Sequence, residues 1–248
     1  TKVAPDFLAK LVTRMEQDNL IGVIQPKIFL MDNPGYLDNA GSFFTTIGFL
    51  EHWGFAKRDG REFSQEKEIF SAKGACMLVK TAVIHKTGLF DKDFFAYFED
   101  TDFCIRILLA GYTILYDPTE TVYHKGGATS KHIIHSKILF HSYKNRIYSY
   151  LKNFSLKYII KVLPFMLCMY QVAFLGYIIT GRFQYALAVQ KGIIWNVINL
   201  KSIIKKRKYV QENIRQISDD EFIPRLTKKV GLMYYYYQFF GGIERYKD

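Results

Sequence analysis

Three carboxylates, Glu99, Asp100 and Asp102, fall within four residues, between an aromatic run at 94–98 and an apolar run at 103–109. Acid groups this close repel one another and are costly to desolvate beside aromatic rings. Such a cluster serves a cation, a basic partner or a proton transfer; the bland alternative is that it only caps and solvates a helix start. It also constrains the local fold. Acidic residues favour the positive end of a helix dipole, so a helix opens at Glu99 or Asp100. The apolar residues carry it to Leu109 and Gly111 ends it, with Asp102 and Arg106, four apart, able to pair. Residues 114–116 then read as a strand, Asp117-Pro118 as a turn, and residues 121–124 as a second short strand. Lys125-Gly126-Gly127 follows as a mobile loop.

Upstream, Pro5 suits the first turn of a helix whose stripe is Phe7, Leu8, Leu11, Val12 and Met15. Residues 21–24 read as a short buried strand stopped by Pro26, and Asn33-Pro34-Gly35 as a turn. Residues 35–70 have weak periodicity and read as a long loop. Trp53 within it is either a binding aromatic or a packed one. Residues 74–79 are a second buried-strand candidate. A short helix over 81–86 is ended by Gly88.

Charge divides the chain. Residues 1–130 hold 14 Lys/Arg and 17 Asp/Glu, and residues 131–248 hold 20 and 6. The basic half also holds residues 162–180, which carry no charge and are interrupted by Pro164 and Gly176. That length is at the threshold for crossing a bilayer, about 20 residues, so a crossing and an in-plane or re-entrant segment both remain open. Residues 133–152 read as a basic, aromatic helix. Residues 183–204 form an amphipathic segment ending in Lys205-Lys206-Arg207-Lys208, suited to anionic headgroups. Residues 209–248 are a polar, then aromatic, tail. No zinc-finger, RNP or helix-turn-helix pattern supports nucleic-acid binding. The cysteines, Cys76, Cys104 and Cys168, form no Cys-x-x-Cys pair, which argues against a disulfide framework or zinc site and fits a reducing compartment.

An ordered set of motifs resembles the second half of a family 2 glycosyltransferase of the rhamnosyltransferase-like kind. The set comprises Gly74-Ala-Cys-Met-Leu-Val, Gly88-Leu-Phe-Asp, Phe95-Ala-Tyr-Phe-Glu-Asp-Thr-Asp-Phe-Cys-Ile-Arg, Ala110-Gly-Tyr, Asp117-Pro and Val122-Tyr-His-Lys-Gly-Gly. The resemblance implies an α/β fold: the second half of a GT-A (Rossmann-like) domain over 1–130, then a helical, membrane-associated region over 131–208 and a tail over 209–248. It further implies that the nucleotide-binding half, with its Asp-x-Asp motif for Mg²⁺ or Mn²⁺, precedes residue 1. The chain is then the acceptor-side part of an inverting transferase. Its donor would be a nucleotide sugar and its acceptor a glycan or lipid-linked glycan of cell-surface polysaccharide synthesis, at the cytoplasmic face of the membrane.

Role by role, the resemblance makes Asp100 the base that deprotonates the acceptor hydroxyl, a task helped by a raised pKa. Glu99 is assigned to backbone or acceptor contacts, and Asp102 with Arg106 to structural support. Trp53 and Gly74 lie where relatives bind acceptor sugars. His124 becomes a metal or diphosphate contact, Lys125 and Gly126 phosphate contacts, and Asn145-Arg146 a recurrent pair with a structural or membrane-proximal role. The reading from another class is a catalytically incomplete membrane-bound fragment or accessory subunit. Glycoside hydrolysis fits poorly, because adjacent Glu99 and Asp100 cannot flank a glycosidic bond as two carboxyls about 5–9 Å apart.

Overall fold

The computed structural model describes residues 1–126 and 134–246. Gly127 and the boundary expected at residue 130 lie outside the described residues. The first half comprises α1 (Phe7–Glu16), β1 (Ile21–Leu30), β2 (Leu37–Asn39), β3 (Ser42–Thr45), β4 (Leu50–His52), β5 (Lys67–Glu68) and β6 (Leu78–Val79). It continues with α2 (Thr81–Thr87), α3 (Glu99–Leu109) and β7 (Thr113–His124). The second half is mainly helical: α4 (His135–Asn153), α5 (Leu156–Ile179), α6 (Phe183–Ile198), α7 (Leu200–Tyr209) and α8 (Asp219–Phe222), then β8 (Thr227–Lys228) and α9 (Leu232–Tyr236).

The main sheet has the order β2-β1-β7-β5, with β6 also paired to β1. β1 and β7 run parallel from Ile21 opposite Thr113 to Leu30 opposite His124. Pro26 therefore does not stop β1. Its missing N–H falls at a register shift between Pro26 and Lys27, where the ladder is already interrupted. The same shift absorbs residues 118–120, so the two short strands expected around Asp117-Pro118 are one bulged strand. That strand delivers His124 to the sheet edge. The mixed α/β arrangement fits a GT-A-like domain.

Residues 35–70 are not a long loop. They build β2 to β5, and a second sheet, β4-β3-β8, in which Phe44 pairs with Thr227. Leu37, Phe43, Phe44, Leu50, Phe63 and Phe70 enter the core from here. Of residues 74–79 only Leu78 and Val79 form a strand, and both are half-buried. In α1 only Leu11 and Met15 of the expected stripe are buried, while Leu8 and Val12 face solvent. The helix ends read from glycine hold: Gly88 and Gly111 have φ of 72° and 86°, a region costly for other residues.

The basic, aromatic α4 is an internal helix. Lys144, Arg146 and Lys152 are buried in it. Lys152 pairs with Asp102 at 2.8 Å and Asp91 at 3.0 Å, and Lys206 of α7 pairs with Asp91 at 2.6 Å and Asp93 at 2.7 Å. Part of the basic charge of the second half thus neutralises buried acids of the first. One core cluster runs from Val23 through Tyr150 and Tyr170 to Tyr235, crossing all three regions expected from the sequence.

Candidate active site

The site begins with a strained turn. Phe95, Tyr97 and Phe98 all have positive φ, at 64°, 65° and 72°, immediately before α3. Non-glycine residues in that region cost about 1–3 kcal/mol each and persist only where the surroundings hold them. Here the holder is Asn145, fully buried on α4. Its Nδ2 donates to the carbonyls of Phe94 (3.0 Å), Ala96 (2.8 Å) and Tyr97 (2.6 Å). The turn makes Glu99 and Asp100 the first residues of a helix whose N-terminus opens into a cleft of about 660 Å³. Asp38, His52, Lys73, His124, Lys125 and Arg146 also line that cleft.

Asp100 is gripped by backbone. Its Oδ1 accepts the Thr101 N–H at 2.7 Å and its Oδ2 the Gly74 N–H at 2.9 Å. Burial pushes its pKa up; those two N–H groups and the charge of Lys73 moderate the rise. Glu99 is raised too, by burial and then by the neighbouring Asp100 charge. Its Oε2 is a buried oxygen without a hydrogen-bond partner among the described residues. The residue itself lines the cleft, and a carboxylate there can accept from a ligand donor such as a sugar hydroxyl.

Asp102 points the other way, wholly buried. Arg106 Nε meets its Oδ2 at 3.1 Å, and Ser149 and Asn153 donate to its Oδ1 at 3.0 and 2.7 Å. Against the opposing effect of burial, Lys152 and Arg106 hold its carboxyl below the ordinary range. Arg106 also donates to the carbonyls of Thr87, Gly88 and Leu89, tying the end of α2 to α3. Both residues build the site without entering the cleft.

A second cluster joins His124 to residues far away in sequence. Asp38, only 2% exposed, takes Lys73 Nζ on Oδ1 and His124 Nδ1 on Oδ2, each at 2.7 Å. The carboxylate fixes the imidazole orientation and leaves Nε2 as the ring nitrogen open to a ligand. Asp38 and Lys73 carry no local motif, so sequence reasoning missed them, along with His52, whose Nδ1 lies 3.0 Å from Ser42 Oγ. Arg146 stacks between the rings of Phe49 and Phe98 and reaches Tyr170 Oη at 3.2 Å.

Three expected assignments change. Trp53 is in the core, edge-on to Phe43 and Tyr116 and tilted against Phe63, and does not line the cleft. Its indole fills the space between the two sheets, where burial of a large aromatic is most favourable. Gly74 acts through its N–H on Asp100; a Cβ there would stand 3.4 Å from Oδ2. A Cβ at Gly126 would meet nothing within 4 Å among the described residues, and Gly126 is not part of the cleft lining they form. Among the described residues no group of three His, Cys, Asp or Glu side chains can hold a metal ion. His124 alone does not make a divalent-cation site.

Comparison with known proteins gives the same direction as the geometry. Two relatives from Mycobacterium tuberculosis strains CDC 1551 / Oshkosh and ATCC 25618 / H37Rv are named N-acetylglucosaminyl-diphospho-decaprenol L-rhamnosyltransferase. Each is 32% identical over 80 residues, 32% of this chain and 26% of the relative. A third, uncharacterized protein y4gI of Sinorhizobium fredii strain NBRC 101917 / NGR234, is 24% identical over 140 residues, 52% of this chain and 15% of its own. The matches thus span about a quarter or less of these relatives' lengths. A family model described as glycosyl transferase family group 2 matches residues 1–200, and to that family the chain belongs.

Proposed function

We propose that the cleft is the acceptor side of an inverting sugar transfer from a nucleoside-diphosphate sugar. The observation that carries this is the pair at the start of α3: Asp100 held by two N–H groups beside Glu99, both on the cleft lining. The acceptor hydroxyl attacks the anomeric carbon while the bond to the diphosphate breaks. Its proton passes to the Asp100 carboxylate, the bond electrons leave with the diphosphate, and one displacement inverts the centre. The Glu99 carboxylate accepts a hydrogen bond from a second hydroxyl and orients the acceptor. Lys73, Lys125 and His124 are the cleft groups suited to a diphosphate. The mycobacterial relatives act, by name, on a diphospho-decaprenol-linked sugar. By that likeness the acceptor is a lipid-linked glycan in cell-surface polysaccharide assembly.

Product stereochemistry tests the reading. A panel of nucleoside-diphosphate sugars is offered with a polyprenyl-diphosphate-linked acceptor, and the new linkage is assigned by NMR coupling. Inversion at the anomeric carbon is expected. Retention, or hydrolysis without transfer, would overturn it. A folded protein that binds acceptor and never transfers would instead mark an accessory subunit.

A further inference from the structure

We propose that the outer face of the α5–α6 hairpin lies flat on an anionic lipid bilayer, with α5 parallel to the surface. The proposal rests on surface and packing, independently of the transfer chemistry.

α5 has the length and composition to cross a membrane, with 24 residues and a mean hydropathy of 1.9 in its most apolar window. Its inner face argues against crossing. Tyr158 donates to Asp220 at 3.1 Å at one end. Val162 presses on the turn at Gly48, where a Cβ would lie 2.0 Å from its Cγ1. Midway, Tyr170 meets Phe49 and the buried Arg146. Near the far end Tyr177 packs on Phe240. The helix is fastened to the domain along its length. A crossing would drag Arg146 and Asp220 into hydrocarbon, where ionised groups are expelled.

The opposite face is unlike that of an ordinary surface helix, which is polar toward solvent. On α5, Phe165, Val172, Leu175, Ile178 and Ile179 are exposed, Ile179 to 85%. On α6, Phe183, Leu187, Ile194, Val197 and Ile198 are exposed as well. Gln171 and Gln190 join the two helices on that surface by a 2.8 Å hydrogen bond.

Charge selects the occupant. Residues 121–211 contain 15 Lys/Arg and no Asp or Glu. Several of these cations are internal and Lys161 acts on Asp220, but Arg182, Lys191, Lys201 and Lys205 have no carboxylate in salt-bridge reach among the described residues. Apolar side chains flanked by unpaired cations match an anionic headgroup layer over acyl chains. A second copy docked face to face would bring the same unpaired cations together.

Cys168 is exposed in the middle of α5 and serves as a native probe. The chain carrying Cys76→Ser is labelled there with an environment-sensitive fluorophore; Cys104 is buried. Vesicles of phosphatidylcholine with 30% phosphatidylglycerol are then added. The expected result is flotation with these vesicles and a blue-shifted label, quenched best by shallow spin-labelled lipids. Affinity should fall with salt, and by at least about tenfold in Lys201→Glu/Lys205→Glu with an unchanged circular dichroism spectrum. Strongest quenching by bilayer-centre probes would show a crossing helix and overturn the proposal. So would a label that stays aqueous, equal binding to pure phosphatidylcholine, or a dimer that ignores vesicles.

Discussion

Asn145 holds the site together through three hydrogen bonds, so its loss should be felt twice. Its amide has two N–H groups and faces three carbonyls of the strained 94–97 turn. No other orientation serves, because carbonyls only accept. In Asn145→Ala the carbonyls of Ala96 and Tyr97 lose this donor, at about 1–3 kcal/mol for each unsatisfied group, while that of Phe94 keeps the Ala96 N–H. Some relaxation of the turn recovers part of its strain, so the net loss should be about 2–4 kcal/mol. Urea unfolding followed by circular dichroism measures it, and acceptor turnover should fall alongside because Glu99 and Asp100 start where the turn ends. Asn145→Asp is the sharper control. It keeps the shape but presents an acceptor to acceptors, so its folded-state pKa is raised above the unfolded value. The variant should then be least impaired below pH 4, about the ordinary carboxylate value, and lose stability as pH rises through the raised pKa. A loss under about 0.5 kcal/mol in Asn145→Ala, with normal activity, would show that Asn145 does not hold the turn.

Asp102→Asn leaves Arg106 and Lys152 buried without their carboxylate and should cost about 3–5 kcal/mol in denaturant unfolding. Because the folded pKa of Asp102 is depressed, its contribution in the wild type is complete above about pH 4 and is lost as pH falls through the lower folded value. Acid titration of wild type against Asp102→Asn should therefore converge at low pH. Gly48→Ala places a methyl against Val162 at a φ of 85°; a loss of more than about 2 kcal/mol is expected, with α5 loosened in hydrogen exchange. With its pKa raised by burial, Asp100 should give the transfer rate an acid limb above the usual carboxylate value. The rate falls as pH drops through it, and Asp100→Asn removes that limb.

The part of the fold that sequence revealed is the part governed by neighbours in the chain. The ends of α2 and α3 follow from Gly88 and Gly111, and the acid cluster at the start of α3 from local dipole chemistry. The strands within 37–68 are two to four residues long, and β2, β3 and β5 complete their sheets with β1, β8 and β7, so no local period marks them. Pro26 misled because a bulge, supplied by the partner strand, makes its missing N–H harmless. The site divides the same way. Glu99 and Asp100 are adjacent to the motif that announces them, whereas Asp38 joins Lys73 and His124 across 35 and 86 positions. Trp53 was ambiguous because the same indole suits a sugar face and a sheet interface; two packed sheets decided it.

The central claim is that Asp100 takes the proton from the acceptor while Glu99 orients it. Steady-state transfer by Asp100→Asn and Glu99→Gln, measured side by side with donor affinity, tests it most directly. Asp100→Asn should lower kcat by about 10²–10⁴-fold with donor binding intact, and Glu99→Gln should mainly raise the acceptor KM. Near-normal turnover by Asp100→Asn would rule Asp100 out as the base.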